Sequence, residues 1–216
     1  MRERRARPGP PDGGGAVARA SAERAPEEAS VPDRLLAEAT RLFAEKGFAD
    51  ASVQEIVAAA GVTKGAMYHY FGSKDDLLYE IYHRLLALQM GRLERIADGP
   101  GTAAERLRAA AVDVLETSFR HLDDFTVFFQ STHLLRRDRR EAVRAERRRY
   151  HERFRALVEE GQREGSFRAP PPADIAVHFF FGTVHQLGTW YRPGGRLETA
   201  AISEHYVDLF LNGLRS

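Results

Sequence analysis

The residues best suited to chemistry lie at 52–74. Between 61 and 74 the chain carries Lys64, His69 and Lys74 and no carboxylate, whereas residues 33–62 hold Asp33, Glu38, Glu45, Asp50 and Glu55 against Arg34, Arg41 and Lys46. Cations gathered on a short segment, with hydroxyls at Ser52, Thr63 and Ser73 and rings at Tyr68 and Tyr70, suit a phosphate backbone. Catalytic patterns are missing: there is no G-x-S-x-G elbow, no Walker loop and no H-E-x-x-H,. Gly99-Pro100-Gly101-Thr102-Ala103-Ala104 fits G-x-G-x-x-A, but a helix rather than a strand precedes it, so it reads as a helix-to-helix loop. With no cysteine, disulfides, a thiol nucleophile and thiolate metal sites are excluded.

The elements that must position these groups are helical. From Ser30 onward the apolar residues recur at helical spacing and never settle into strand alternation,. Leu35, Leu36, Ala39, Leu42 and Phe43 form a first stripe, which Gly47 ends,. Ser52 and Glu55 read as the capping box of a short second helix with Val53, Ile56, Val57 and Ala60 inward,. Gly61 turns the chain, and Thr63 caps a third helix that ends near Phe71, with Met67 and Phe71 on its buried side. Two short helices joined by Gly61-Val62-Thr63 have the layout of a helix-turn-helix, whose second helix enters the major groove. Ser73 and Asp76 cap a fourth helix that should end near Gly91, and further helices are expected over about 103–120, 125–135, 137–161, 173–191 and 197–214. The prediction is an all-α fold of about nine helices. It divides into a helix-turn-helix domain at 31–78 and a helical ligand-binding and dimerisation domain at 79–216. The first 30 residues hold Arg2, Arg4, Arg5 and Arg7, several prolines and glycines, and little apolar surface to offset ordering entropy,. They read as a disordered, solvated tail; a basic arm reaching into a minor groove is the alternative.

The run Val62-Thr63-Lys64-Gly65-Ala66-Met67-Tyr68-His69-Tyr70-Phe71, followed by Ser73-Lys74-Asp75-Asp76-Leu77-Leu78, resembles the signature of TetR-type one-component transcriptional repressors. The preceding two helices match as well, so the likeness is dense over 31–80 and extends to the whole helical layout. The resemblance implies a bacterial, cytoplasmic homodimer without cofactor, nucleoid-associated when bound to a palindromic double-stranded DNA operator, and released by a small-molecule effector. It also implies that Ser52 binds a backbone phosphate and that Thr63, Lys64, Gly65 and Ala66 face the groove floor. There Gly65 allows close approach and Lys64 reaches guanine acceptors. Tyr68 and His69 would meet sugar-phosphate or base methyls, and Lys74 a phosphate. Tyr70 reads equally as a DNA contact or a packing residue.

Composition fits a globular chain: 216 residues, 43% hydrophobic and 29% charged,. The net charge is only +1, so DNA contact must come from placed residues rather than bulk charge. His178, His185 and Gln186 interrupt the longest apolar run, 175–191, which argues against a membrane span. No hydrophobic leader segment precedes residue 30, and the expectation is a soluble cytoplasmic protein.

Ten of the thirteen phenylalanines lie beyond Ser118. The segment 175–191 is apolar nearly all round, so both of its faces must be covered, one by core or pocket and the other by a partner subunit. Phe125, Phe128, Phe129, Phe154, His178 and Trp190 read as the walls of an effector pocket, with Arg192 and other arginines at its mouth,. The embedded polar groups His121, Thr126, His133, His178, Thr183, His185 and Gln186 either orient a ligand or are satisfied core residues. His178 and His185 lie seven apart on one face without a carboxylate pair, so no metal is assigned. The arginine-rich helix over 137–161 is mostly a solvated face, with a subset left for an anionic ligand such as a CoA phosphate. Gly165-Ser166-Phe167-Arg168 and Trp190-Tyr191-Arg192-Pro193-Gly194-Gly195 are similar to the acyl-CoA-responsive branch of the family, which implies an acyl-CoA effector. An aromatic drug or antibiotic is the competing effector. The reading from another class is a helical ligand-binding or enzymatic protein without DNA binding.

Overall fold

The computed structural model describes residues 29–215; the tail expected at 1–30 falls almost wholly outside the described residues. The chain forms α1 (Val31–Lys46), α2 (Val53–Ala59), α3 (Lys64–Tyr70), α4 (Lys74–Ala97), α5 (Ala103–Arg120) and α6 (Leu122–Ser131). After a 3-10 turn at Thr132–Leu134 come α7 (Arg137–Arg163), α8 (Ala173–His185), the single turn α9 (Leu187–Trp190) and α10 (Thr199–Leu214). Nine helices of seven residues or more, and no strand, are found among the described residues. None of these helices is long and apolar enough to cross a membrane.

Helix starts follow the capping residues. Ser30, Ser52, Thr63, Ser73 and Thr102 each accept a hydrogen bond from a backbone N–H in the first turn of the helix that follows,. Helix ends depart further from the sequence expectation. α4 runs through Gly91 to Ala97, because Leu93 and Ala97 continue its buried stripe and Gly91 is exposed with nothing nearby. The helix expected over 173–191 breaks at Gln186. The N–H of Gln186 bonds back to Thr183 and the Thr183 hydroxyl donates to the Phe180 carbonyl at 2.7 Å, tightening the last turn of α8,. α6 begins at Leu122, ahead of the expected 125.

Two cores hold the molecule. One gathers Leu35, Phe43, Ile56, Met67, Leu77 and Tyr82, and continues without a break into Val127 and Phe128 of α6 and Val143 of α7. The other gathers Leu93, Leu107, Leu115, Phe154, Phe180 and Phe210. α4 contributes to both, and at 24 residues it is about 36 Å long. The expected boundary at residue 78 therefore lies inside a continuous helix with no linker.

Candidate nucleic-acid interface and effector cavity

The helix-turn-helix is fixed by backbone geometry before any ligand is considered. At the end of α2 the N–H of Val62 reaches the Val57 carbonyl at 3.0 Å and that of Gly61 reaches Ala58 at 3.2 Å, a Schellman pattern that needs the positive φ of Gly61 (+64°),. Thr63 then caps α3 through the N–H of Ala66 at 3.1 Å. Met67 is fully buried and Phe71 nearly so, which orients the rest of the helix. Thr63, Lys64, Gly65, Tyr68, His69 and Tyr70 are exposed together, and Ala66 is half-buried beside them. The Lys64 ammonium lies 5.8 Å from the Tyr68 ring centre, and His69 meets Tyr70 edge-on at 5.0 Å. At Gly65 an added Cβ would find only Thr63 Oγ1, at 3.8 Å, and the φ is ordinary. Nothing inside the protein requires glycine there, although glycine in a helix costs about 1 kcal/mol relative to alanine.

Lys74 departs from the sequence expectation. Its ammonium donates to the carbonyls of Phe48 (2.6 Å), Ala51 (2.8 Å) and Ala49 (3.2 Å) and sits 4.5 Å from the Phe48 ring centre. All three hydrogens of the group are thus engaged, and burial lowers its pKa. The residue expected to hold a phosphate instead tethers the loop that delivers Ser52. Ser52 itself is exposed, but its hydroxyl and its N–H both donate to Glu55, at 2.9 Å each. Lys46 pairs with the same carboxylate at 2.5 Å, and these contacts, Lys46 first, bring the Glu55 pKa down to about 2. A phosphate at this end would meet the first-turn N–H groups of Val53 and Gln54, which have no intrahelical acceptor.

Behind α3, the start of α4 carries Asp75 and Asp76. Arg136 binds both, at 3.1 and 3.4 Å, and Arg139 binds Asp76 at 3.1 Å while lying 4.1 Å over the Tyr79 ring. These two arginines belong to the start of α7. The carboxylates nearest the recognition helix in sequence are therefore neutralised by the other half of the molecule.

Within that half, Phe125, Phe128 and Phe129 of α6 line a narrow, partly open cleft of about 20 Å³ together with Gln89, Arg147, His151 and His185, room for about one water. It shares Phe125, Phe129 and His185 with a second hollow of about 110 Å³. On its other side it shares Arg147, His151 and His185 with an open groove of about 690 Å³ that Arg144 and Arg148 border. Three of the sequence-expected pocket residues thus meet, and His178 lines the outer groove. The other three are placed elsewhere. Phe154 is wholly buried and stacked on Phe180 at 5.2 Å. Trp190 is half-exposed against Tyr206. Arg192 is exposed and donates to the Tyr191 carbonyl. Sequence reasoning missed Gln89, Arg147 and His151; Arg147 is hidden among ten arginines between 136 and 155. Among the described residues, no group of three or more His, Asp or Glu is arranged to hold a metal.

Residues 35–81 match the model of bacterial regulatory proteins of the tetR family, and residues 100–214 match the tetracyclin repressor-like C-terminal domain. The chain belongs to the TetR family. TetR-family proteins are DNA-binding transcription regulators, not enzymes, and the exposed helix-turn-helix agrees. One relative, the HTH-type transcriptional repressor KstR2 of Rhodococcus jostii (strain RHA1), is 30% identical over 188 residues, covering 84% of this chain and 90% of its own. The structure of the ketosteroid transcriptional regulator KstR2 of Mycobacterium tuberculosis superposes with a TM-score of 0.80 at 25% identity, covering 88% of this chain and 97% of that one. AibR, solved in complex with isovaleryl coenzyme A and operator DNA, gives 0.75 at 25% identity, covering 83% and 97%.

A physical link joins the cavity to the TetR-type DNA-binding end. The Phe128 ring packs edge-on against Tyr82 of α4 at 4.9 Å, and the Tyr82 hydroxyl donates to the Val127 carbonyl at 2.8 Å. α6 also packs on α1. The wall formed by Phe128 is thus in direct contact with α4 and α1, the helices that flank α2 and α3.

Proposed function

We propose that this TetR-family protein represses transcription as a homodimer on a partly palindromic operator and leaves the DNA when an acyl-CoA thioester enters the α6 cavity. The observation that carries the reading is the exposed, carboxylate-free surface of α3, set rigidly by Met67 and the Gly61 turn. Dimerisation is supported by the unpartnered apolar face of α8 and α10, where Ile175, Phe179 and Leu209 are 58%, 62% and 73% exposed,. The acyl-CoA class is supported by an apolar cavity that opens into a groove bordered by arginines, and by the AibR likeness, since that regulator was solved with isovaleryl coenzyme A. The narrowness of the cleft supports a way for binding to do work on the fold: an acyl group of any size enters by displacing Phe128 or Phe129, and release requires that it bind the DNA-free state better,.

The test is titration of a preformed operator complex with acyl-CoAs, the matching free acids and aromatic drugs. Release by acyl-CoAs is the expected result. Release by aromatic drugs alone would replace the effector class and leave the repressor reading intact.

A further inference from the structure

We propose that Arg147 anchors the effector by receiving the oxygen of its acyl group, a carboxylate or a thioester carbonyl, where the phenylalanine cavity meets the arginine groove. This rests on the effector reading above and names the group that site recognises. Arg147 borders both spaces. Its guanidinium lies 5.7 Å from the ring centres of Phe128 and Phe129, and its Nη2 is 3.3 and 3.4 Å from the two ring nitrogens of His185.

What sets it apart is enclosure without an anion: Arg144, Arg148 and Arg149 also lack a carboxylate but are exposed, and the half-buried Arg140 donates to the His133 carbonyl. Arg139, Arg153 and Arg155 of the same helix each hold a carboxylate of another element. Arg147 is half-buried like them but has no carboxylate within 4.0 Å among the described residues. A desolvated charge without a counter-charge is costly, and burial duly lowers the Arg147 pKa. The imidazoles beside it do not add charge. Burial first, and then the positive charge of Arg147, bring His151 down to about 4 and His185 to about 3, so both are neutral near pH 7. The junction therefore presents one positive charge flanked by neutral hydrogen-bonding rings, which suits a single acyl oxygen or carboxylate.

The cavity side repeats the same demand. Gln89 is only 5% exposed and its polar side chain lines the cleft. It is a second polar group turned to the same space. Beyond it, Phe125, Phe129, Val184, Leu187 and Gly188 line the apolar hollow of about 110 Å³, which would receive the tail. In the other direction Arg144 and Arg148 border the open groove, where whatever follows the acyl oxygen must lie.

The test uses the full chain and its operator, with isovaleryl-, benzoyl- and octanoyl-CoA and the three free acids as probes. For the wild type, Arg147→Met, Arg147→Lys and Gln89→Leu, the ligand concentration that releases half the complex is normalised to each variant's own operator affinity. Thermal stability without ligand is measured in parallel. Arg147→Met is expected to be at least as heat-stable as the wild type, because an unpaired charge has been removed, and to need about tenfold more ligand or beyond. Arg147→Lys should recover part of the response. The acid and thioester arms identify which source of the acyl oxygen is used. Equal releasing concentrations for the wild type and Arg147→Met would overturn the assignment while the acyl-responsive reading stood. A loss of heat stability with an unchanged response would make Arg147 a packing residue and overturn it too. If no acyl compound releases the wild type, the effector reading itself fails and takes this assignment with it.

Discussion

Lys74 and Lys64 show how two lysines of one segment receive different tasks. Lys64 projects from α3 beside Tyr68, while Lys74 is tied to three backbone carbonyls of the 48–51 loop. Lys74→Met should therefore cost about 1–3 kcal/mol of stability by leaving those acceptors unpaired, and should leave the salt dependence of operator binding unchanged. Denaturant melts and a salt series check both; a slope reduced by about one charge per subunit would restore the phosphate contact. Lys74's partners lie 23–26 residues away and are backbone atoms, so no side-chain spacing announced them. Arg147 was equally illegible, since only its phase against Phe128 and His185 distinguishes it within an arginine run. The outward set of Thr63, Lys64, Gly65, Tyr68 and His69 was legible, because Met67 and Phe71 fix the buried side of a seven-residue helix.

The buried histidines give a pH dependence at the same scale. His151 and His185 sit at about 4 and about 3 in the fold, against 6.5 for a free imidazole, with Arg147 and His178 as the charged or titratable neighbours that contribute. Between pH 6.5 and about 4 the unfolded chain takes up protons that the native state refuses, so stability falls as pH drops through that window. Replacing both by glutamine should shrink the loss between pH 7 and pH 5 relative to the wild type. An undiminished loss in urea melts at those two values would contradict the assigned environments.

Among the elements, α7 does two things at once. Its middle borders the open arginine groove, and its start holds Asp75 and Asp76 through Arg136 and Arg139. Removing both arginines leaves two carboxylates uncompensated behind α3, where phosphates must approach. Arg136→Ala with Arg139→Ala should weaken operator binding by roughly three- to tenfold at low salt, and adding Asp75→Asn and Asp76→Asn should restore it. Anisotropy titrations decide it: weakening without rescue would mean that the arginines act through packing. Helix starts were readable from Ser52, Thr63 and Ser73, whose side chains act within one turn. The continuation of α4 past Gly91 was not, because it is settled by what the helix packs against, nor was the break at Gln186, where the apolar run continues and only hydrogen bonds at Thr183 mark the end of α8.

At the scale of the whole molecule, one continuous helix, α4, passes from the core of the helix-turn-helix into the core of the C-terminal helices, and Tyr82 on it touches Phe128 of the cleft wall. We propose that this arrangement converts a small displacement at Phe128 into a change in the spacing of two recognition helices when two copies pair through α8 and α10. The exposure of Ile175 and Phe179 follows from the all-round apolar character of 175–191, whereas the narrowness of the α6 cleft depends on side-chain packing that no periodicity encodes. The most direct test is selection of bound sequences from fragmented genomic DNA by the full-length protein at physiological salt, with the stoichiometry of the selected complex measured by light scattering. The expected result is a partly palindromic site with half-sites about one helical turn apart, roughly 34–36 Å, carrying two chains and losing its sequence preference in Lys64→Ala. Equal binding to selected and random DNA by the wild type would contradict the account.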